Sequence, residues 1–218
     1  MSLAMHSSLS LSGVRHVGWL AMLTIALMTL VPASGAEPPR AQNGTYPAND
    51  PKVDAEVVRM GRLYGEVQWE VGKIIGIVDG DTADIKIGKR RIERLRLNEI
   101  DAPERGAPWS KRSTQLLSEL IFGREVMIAI TDWDRDDRAV VRTFVWSNNG
   151  KVLVDVSQEM IQQGAAWYFK RFGKDRVLLL AESGARKAGS GLWSLPDNQR
   201  VPPWEWRKMP KTVRDQHR

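Results

Sequence analysis

Two acidic segments contain the residues best suited to metal chemistry, VDGDT at 78–82 and RLNEIDAPE at 96–104. Asp81 lies in a predicted turn and Asp101 follows a predicted strand, so a strand meander can bring both to one end of a sheet. Paired carboxylates there would form a hard oxygen site suited to calcium or magnesium. Asp and Gly are also ordinary turn residues. Taken alone, the spacing leaves a metal site and a structural turn both open.

Arg96 and Arg138 are candidates for holding phosphate. Arg96 alternates with the apolar residues Leu95 and Leu97, so it should point to the opposite face of its strand. Guanidinium groups bind phosphate oxygens through two parallel hydrogen bonds and stay charged at any relevant pH. A solvated strand face is the alternative. If the arginines clamp a phosphodiester, Glu104 could deprotonate the attacking water.

The rarity of cysteine and histidine excludes several kinds of catalysis. The chain has no cysteine, so thiolate zinc sites and cysteine nucleophiles are ruled out. His6 and His16 lie in the N-terminal segment and His217 lies in the polar tail. A catalytic domain between them has to function without histidine. The formal net charge of +6 favours a polyanionic partner such as nucleic acid.

The hydrophobic pattern predicts an α+β domain that is mainly β. Stretches that are β-rich or alternating predict five strands, and helical stretches are predicted once after the third strand and twice after the fifth. This order matches a small five-stranded OB-fold barrel with three helices. The strands are predicted at 70–78, 83–87, 92–97, 126–130 and 139–146, and the helices at 110–121, 154–163 and 174–187.

The two ends are predicted to differ from this domain. Residues 1–36 have the layout of a signal peptide, with an apolar run from Val17 to Val31 and small residues before a cleavage point after Ala36. We therefore expect export to the periplasm or the medium, with no stable membrane association after cleavage. An uncleaved membrane anchor is the alternative. Residues 37–67 are expected to be a flexible leader in which 54–66 forms a short helix or an irregular segment. The domain is predicted at 68–195, and 196–218 should be a Pro- and Trp-containing basic tail that crosses the domain as a strap.

These motifs together resemble the staphylococcal nuclease, or thermonuclease-like, family. The resemblance covers about residues 68–195 and is carried by VDGDT, RLNEIDAPE, DRDDR at 134–138, QGAAW at 163–167 and AESGARKAGSGLWS at 181–194. The family domain is an OB-fold barrel with three helices. The resemblance implies calcium-dependent hydrolysis of DNA or RNA that leaves 3′-phosphates. Magnesium has the same ligand preferences and is the alternative cation.

The resemblance also assigns roles to individual residues. It implies that the carboxylates of Asp81 and Asp101 and the backbone carbonyl of Ala102 bind one calcium ion. Asp79 would support the turn from behind these ligands. Glu104 would act as general base or align the attacking water. In the same scheme, the scissile phosphate would be contacted by Arg96 and Arg138.

One departure from the family pattern concerns Arg138. Asp136 and Asp137 stand where the family usually has Tyr-Gly, and two added negative charges should weaken phosphate binding unless they point away. A second feature is the aromatic and basic stretch 167–172. Here Tyr168, Lys170 and Arg171 are candidates to contact substrate, and core packing with a basic rim is the alternative.

Two other functions remain open at this point. A noncatalytic OB-fold protein could bind nucleic acid or polysaccharide. An accessory factor in exopolysaccharide biosynthesis is a further alternative. The joint presence of a metal pair, a base and two arginines favours the enzyme, since a binding module needs neither a metal pair nor a base. We expect a monomer, and the residues do not separate DNA from RNA as the substrate.

Overall fold

The computed structural model describes residues 50–89, 91–147 and 149–216. The predicted signal peptide, the first part of the leader, and all three histidines lie outside these residues. No helix among the described residues is long and apolar enough to cross a lipid bilayer.

Five strands close into the predicted barrel. Strand β1 pairs with β2 and β5, β2 pairs with β3, and β5 pairs with β6, all antiparallel. A parallel pairing between β3 and β6 completes the circle. Three short strands are added to the five. The strands are β1 (Gln68–Ile77), β2 (Thr82–Ile87), β3 (Arg91–Leu97), β4 (Ile100–Asp101), β5 (Glu125–Trp133), β6 (Ala139–Trp146), β7 (Leu153–Asp155) and β8 (Trp167–Tyr168).

The predicted α+β fold, an OB-fold barrel with helices, is confirmed. The helices are α1 (Pro51–Tyr64), α2 (Ser110–Ile121), α3 (Val156–Gln162), α4 (Arg176–Ala188), α5 (Pro203–Trp206) and α6 (Lys211–Asp215). The three predicted helices correspond to α2, α3 and α4. Asp155 and Asp175 cap the N-termini of α3 and α4 by accepting from backbone N–H groups. These helices cover a core formed by the inward-facing residues of the strands.

Helix α1 agrees with the short-helix alternative for 54–66 and begins three residues earlier, at Pro51. Asp50 caps its first turn, and Val53, Val57 and Met60 form one buried face at helical spacing. This face packs against a second cluster that includes Trp69 of the barrel. A largely polar segment is held here by a narrow apolar stripe because the barrel offers a matching surface.

A buried ion-pair network links α1 to the helical layer. Arg142 of β6 is fully buried and pairs with Asp155 and Asp175, and Arg59 of α1 pairs with the same two carboxylates. Burial by itself would raise the pKa of Asp155, but the charges of Arg142 and Arg59 outweigh it and lower that pKa below its usual value. We regard this network as structural, because every carboxylate in it has a guanidinium partner.

The C-terminal tail is packed on the domain at residues 202–209, which we call the C-terminal strap. Trp206 is only 2% exposed, and Trp204 stacks on Phe169 with ring centroids 5.6 Å apart. Trp204 also packs against a small cluster that contains Trp167 and Trp193. Two aromatic anchors therefore hold the strap against the side of the barrel where β4 and β8 pair.

Candidate active site

The turn between β1 and β2 holds its acidic residues through local hydrogen bonds and close packing. The Asp81 N–H donates to Oδ1 of Asp79 at 3.1 Å, so Asp79 lies inside the turn that carries Asp81. Gly80 has no room for a side chain, because an added Cβ would lie 1.9 Å from Oγ of Ser113 and 2.7 Å from Cβ of Ala102. The turn therefore presses directly on helix α2 and on the segment that follows β4.

Asp81 and Asp101 converge, as the sequence predicted, and both are almost fully buried. The Ala102 N–H donates to Oδ2 of Asp81 at 2.7 Å, which joins the two acidic segments across 21 residues. Arg96 lies between the two carboxylates. It forms an ion pair with Asp81, and its Nη2 lies 3.0 Å from Oδ1 of Asp101. The Arg96 guanidinium therefore lies where the chain brings the carboxylates of Asp81 and Asp101 together.

Arg207 of the C-terminal strap enters the same cluster and was not identified from the sequence. Its Nη2 lies 2.8 Å from Oδ2 of Asp101, and its Nη1 lies 3.2 Å from Oδ1 of Asp101. The same Nη1 donates to Oε1 of Glu104 at 2.6 Å. The hydrogen bonds that Arg207 donates to Asp101 raise the pKa of Arg207 further above its usual value, so this group stays charged. Glu104, at the rim of the cluster, is thereby connected to the buried carboxylates.

Arg138 is brought to the same face of the sheet as Arg96. Strands β3 and β6 pair in parallel with Arg96 opposite Val140, and Arg138 lies two residues before Val140. Because side chains alternate along a strand, both arginines face outward. No contact between Arg138 and the carboxylate cluster is observed among the described residues. Arg138 instead lines an open cleft of about 590 Å³ together with Asp136 and Asp137.

Asp134, rather than Asp136 or Asp137, is the main partner of Arg138. Both Nε and Nη2 of Arg138 lie 2.7 Å from Oδ2 of Asp134, whereas Asp136 is 3.4 Å away and 77% exposed. Burial alone would raise the pKa of Asp134, but backbone N–H donors from the turn and Arg138 together lower it. Asp137 adopts a left-handed backbone with φ of 54°. Asp136 therefore adds a longer and more exposed ion pair to Arg138, and Asp137 lines the same cleft.

The stretch 167–172 adjoins the cluster but presents different side chains from those predicted. Strand β8 pairs with β4, so Trp167 lies opposite Asp101 and Tyr168 lies opposite Ile100. Tyr168 is only 6% exposed and belongs to the core, and burial, followed by the charges of Glu99 and Asp175, raises its pKa to about 12. Its ring offers no open face to a base, which corrects the prediction that Tyr168 contacts substrate.

Exposed residues follow directly after Tyr168. Lys170 and Arg171 are exposed, as a substrate-contacting role requires. The ring of Phe172 is 59% exposed, lies 5.3 Å from the ring of Phe169 and has the guanidinium of Arg171 near it. The basic part of the predicted surface is thus available, and Phe172 is the aromatic residue in it that can stack.

Glu99 is a second residue that sequence reasoning missed, and it positions this stretch. It has a left-handed backbone with φ of 59° and is only 3% exposed. Its carboxylate accepts from the Tyr64 hydroxyl at 2.6 Å and from the Lys174 and Asp175 N–H groups at 2.9 and 3.0 Å. Its carbonyl accepts from the Phe169 N–H. Glu99 therefore ties α1 and the loop after β8 to the segment that carries Asp101.

The donor atoms at the cluster fit a hard divalent cation. Within the described ranges, no group of three or more His, Cys, Asp or Glu side chains is arranged to hold a metal ion. Asp81 and Asp101 nevertheless supply two converging carboxylates, and the Ala102 N–H, next to Asp101, donates to Asp81. Magnesium and calcium sites commonly combine a few protein oxygens with water. The two carboxylates present are therefore donors of the type that such an ion prefers.

Comparison with known proteins agrees with this architecture. A family model described as "Staphylococcal nuclease homologue" matches residues 94–195. A protein of Shigella flexneri named micrococcal nuclease is 35% identical over 147 residues, which cover 65% of this chain and 83% of that protein. An uncharacterised endonuclease of Escherichia coli is 35% identical over 136 residues, covering 62% of this chain and 84% of the relative. A further uncharacterised endonuclease, from Haemophilus influenzae, is 32% identical over 139 residues, covering 64% and 74%.

Proposed function

This chain belongs to the staphylococcal nuclease family, and we propose that it is an exported, calcium-dependent endonuclease that hydrolyses DNA, RNA or both. Membership of the family makes it a nuclease that acts on phosphodiester bonds. The observation that carries the finer proposal is the convergence of Asp81 and Asp101 on Arg96, with Glu104 joined to the same cluster.

Each residue of the site has its own role in the proposed reaction. Asp81, Asp101 and the Ala102 carbonyl would hold the divalent cation, which supplies positive charge to the phosphate oxygens when bound. Arg96 and Arg138 bind non-bridging oxygens and stabilise the charge that develops in the transition state. Glu104 orients the attacking water and accepts its proton. The 5′ oxygen leaves, and the product carries a 3′-phosphate.

Calcium is our proposal for the cation because the donors are hard oxygens and the protein is expected to be exported. Weak calcium sites fill at the ~millimolar concentrations found outside cells. Replacing calcium with magnesium in the cleavage assay tests this choice. A faster reaction with magnesium would contradict it while leaving the nuclease itself intact.

Cleavage of single-stranded DNA by the purified mature protein tests the proposal. We expect cleavage with calcium, none with chelator, and a large loss of rate in Glu104→Gln and Arg138→Ala. Glu119→Gln and Arg112→Ala remove the same charges from exposed positions on α2 and serve as controls. Wild-type protein that binds DNA without cleaving it would contradict the proposal and favour a noncatalytic OB-fold module.

Export is a separate proposal that rests on residues 1–36. If the segment is a signal peptide, mass spectrometry of protein recovered from the periplasm or the medium will give an N-terminus at Glu37. A chain that retains Met1 and sediments with membranes would contradict cleavage and favour the anchored alternative.

A further inference from the structure

Arg207 occupies a position that the resemblance to other nucleases does not explain. It comes from the C-terminal strap, outside the predicted domain, and lies 106 residues along the chain from Asp101. Its guanidinium contacts both oxygens of Asp101 as well as Oε1 of Glu104. It therefore binds a predicted metal ligand and the predicted general base at the same time.

The strap is built to keep Arg207 in this place. Trp206, the preceding residue, is buried, and Trp204 stacks on Phe169. Lys208, the following residue, is 71% exposed in its side chain and pairs only within the strap, with Glu205. Two neighbouring basic residues thus have opposite surroundings, and only Arg207 points into the cluster.

Charge balance indicates what Arg207 does there. Asp81, Asp101 and Glu104 contribute three negative charges, and Arg96 and Arg207 contribute two positive charges. One net negative charge remains for an incoming cation. If Arg207 leaves, two negative charges remain, and both oxygens of Asp101 lose one hydrogen-bond donor. Because Arg207 contacts both oxygens of Asp101, a divalent ion that approaches these oxygens is repelled by its positive charge, and the two cations compete.

We propose that Arg207 is an internal competitor for the divalent cation, which holds Asp101 and Glu104 in the metal-free protein and is displaced when the ion binds. This inference rests on the proposed function, because it needs a metal-binding role for Asp101. In this proposal the C-terminal strap is part of the active site. The strength of the Arg207 contacts then determines the metal concentration at which the enzyme becomes active.

Direct measurement of calcium binding by isothermal titration calorimetry tests the inference. We compare the wild-type mature chain with Arg207→Gln and with Lys208→Gln, which removes the same charge from the adjacent residue. Arg207→Gln should bind calcium about 5- to 150-fold more tightly, the usual range for coupling between two ligands. Lys208→Gln should leave the affinity nearly unchanged, because its side chain is exposed. A chain that ends at Trp206 keeps the buried anchor and should bind calcium as Arg207→Gln does. This shortened chain is the variant to measure if Arg207→Gln fails to fold.

A spectroscopic measurement follows the displacement itself. The Nε–Hε signal of Arg207, identified as the one missing from Arg207→Gln, should shift during a calcium titration of the wild-type protein.

Each outcome separates this inference from the proposed function. Calcium-dependent cleavage with equal calcium affinity in wild type and Arg207→Gln would overturn the inference alone, as would weaker binding by the variant. Absence of both calcium binding and cleavage in the wild type and the variant would overturn the inference and the calcium-dependent nuclease together.

Discussion

Replacement of Gly80 by alanine tests whether close packing of the acidic turn is what places Asp81. The added Cβ would lie 1.9 Å from Oγ of Ser113, which is about 1.5 Å closer than the 3.4 Å at which ordinary contact begins. It would also lie 2.7 Å from Cβ of Ala102. The Ser113 hydroxyl is held by the Ala165 carbonyl at 2.7 Å, so the turn has to move instead.

Gly80→Ala should change two quantities, the free energy of unfolding and the rate of cleavage. Overpacking of this kind costs about 1–3 kcal/mol in the free energy of unfolding. In a chain of this size each kcal/mol lowers the melting temperature by about 2–4 °C. A displacement of about 1 Å at a catalytic group can cost about 100-fold in rate. Asp81 follows Gly80 directly, so we expect the loss of DNA cleavage to exceed what the loss of stability explains.

Thermal unfolding and initial cleavage rates measured well below the melting temperature separate the two effects. Gly61→Ala is the matched control, because Gly61 lies in α1 with no heavy atom within 4 Å of the added Cβ. That control should be slightly stabilised, by about 0.5–1 kcal/mol, and fully active. If Gly80→Ala unfolds and cleaves as the wild type does, the turn is not positioned by this contact and the reasoning is refuted.

Three further predictions test other parts of the structure. Met60→Ala should lower the free energy of unfolding by about 2–5 kcal/mol in urea, since its side chain is fully buried; an unchanged midpoint would mean that α1 does not pack on the barrel. The pKa of Asp155 is lowered on folding, so its ionised carboxylate stabilises the folded protein. This contribution is complete above the unfolded pKa near 3.8 and is lost as the pH falls through the folded pKa. Asp155→Asn should therefore be less stable than wild type at pH 7, and a difference that stays constant down to pH ~2 would contradict this. Phe172→Ala should weaken binding of single-stranded DNA by about 1–3 kcal/mol, the usual contribution of stacking one base. Tyr168→Phe should leave binding unchanged. Fluorescence anisotropy measures both affinities, and equal losses in the two variants would contradict the assignment of Phe172 as the stacking residue.

The parts of the fold that could be predicted from sequence are those with a local signal. Alternation along 83–87 predicts a strand because most of its side chains alternate between the core and a more open face. Apolar spacing in 110–121 predicts α2 for the same kind of reason. For α1 the sequence left a short helix and an irregular segment both open, because its apolar stripe is narrow and the surface that it covers, around Trp69, belongs to a different part of the chain.

The candidate site also contains residues that a local sequence signal predicts and residues whose surroundings depend on the rest of the fold. Asp81, Asp101, Arg96 and Glu104 were predicted because two short motifs contain them, and the structure brings these motifs together through the Ala102–Asp81 hydrogen bond. Tyr168 was predicted to contact substrate because aromatic and basic residues surround it in sequence. Its burial depends on the barrel core and on Gly173, beside which its ring lies, and no local pattern indicates that.

The sequence by itself determined which chemistry to expect of this protein: without cysteine, and with histidine only near its ends, its motifs predict a site of carboxylates and arginines. Only the tertiary structure decided which charges meet. Glu99 secures the segment that carries Asp101, Asp134 holds Arg138, and Arg207 reaches Asp101 and Glu104 from the far end of the chain. The physical reason is that residue type and spacing act over a few residues, whereas an ion pair forms wherever folding brings two charges within about 4 Å.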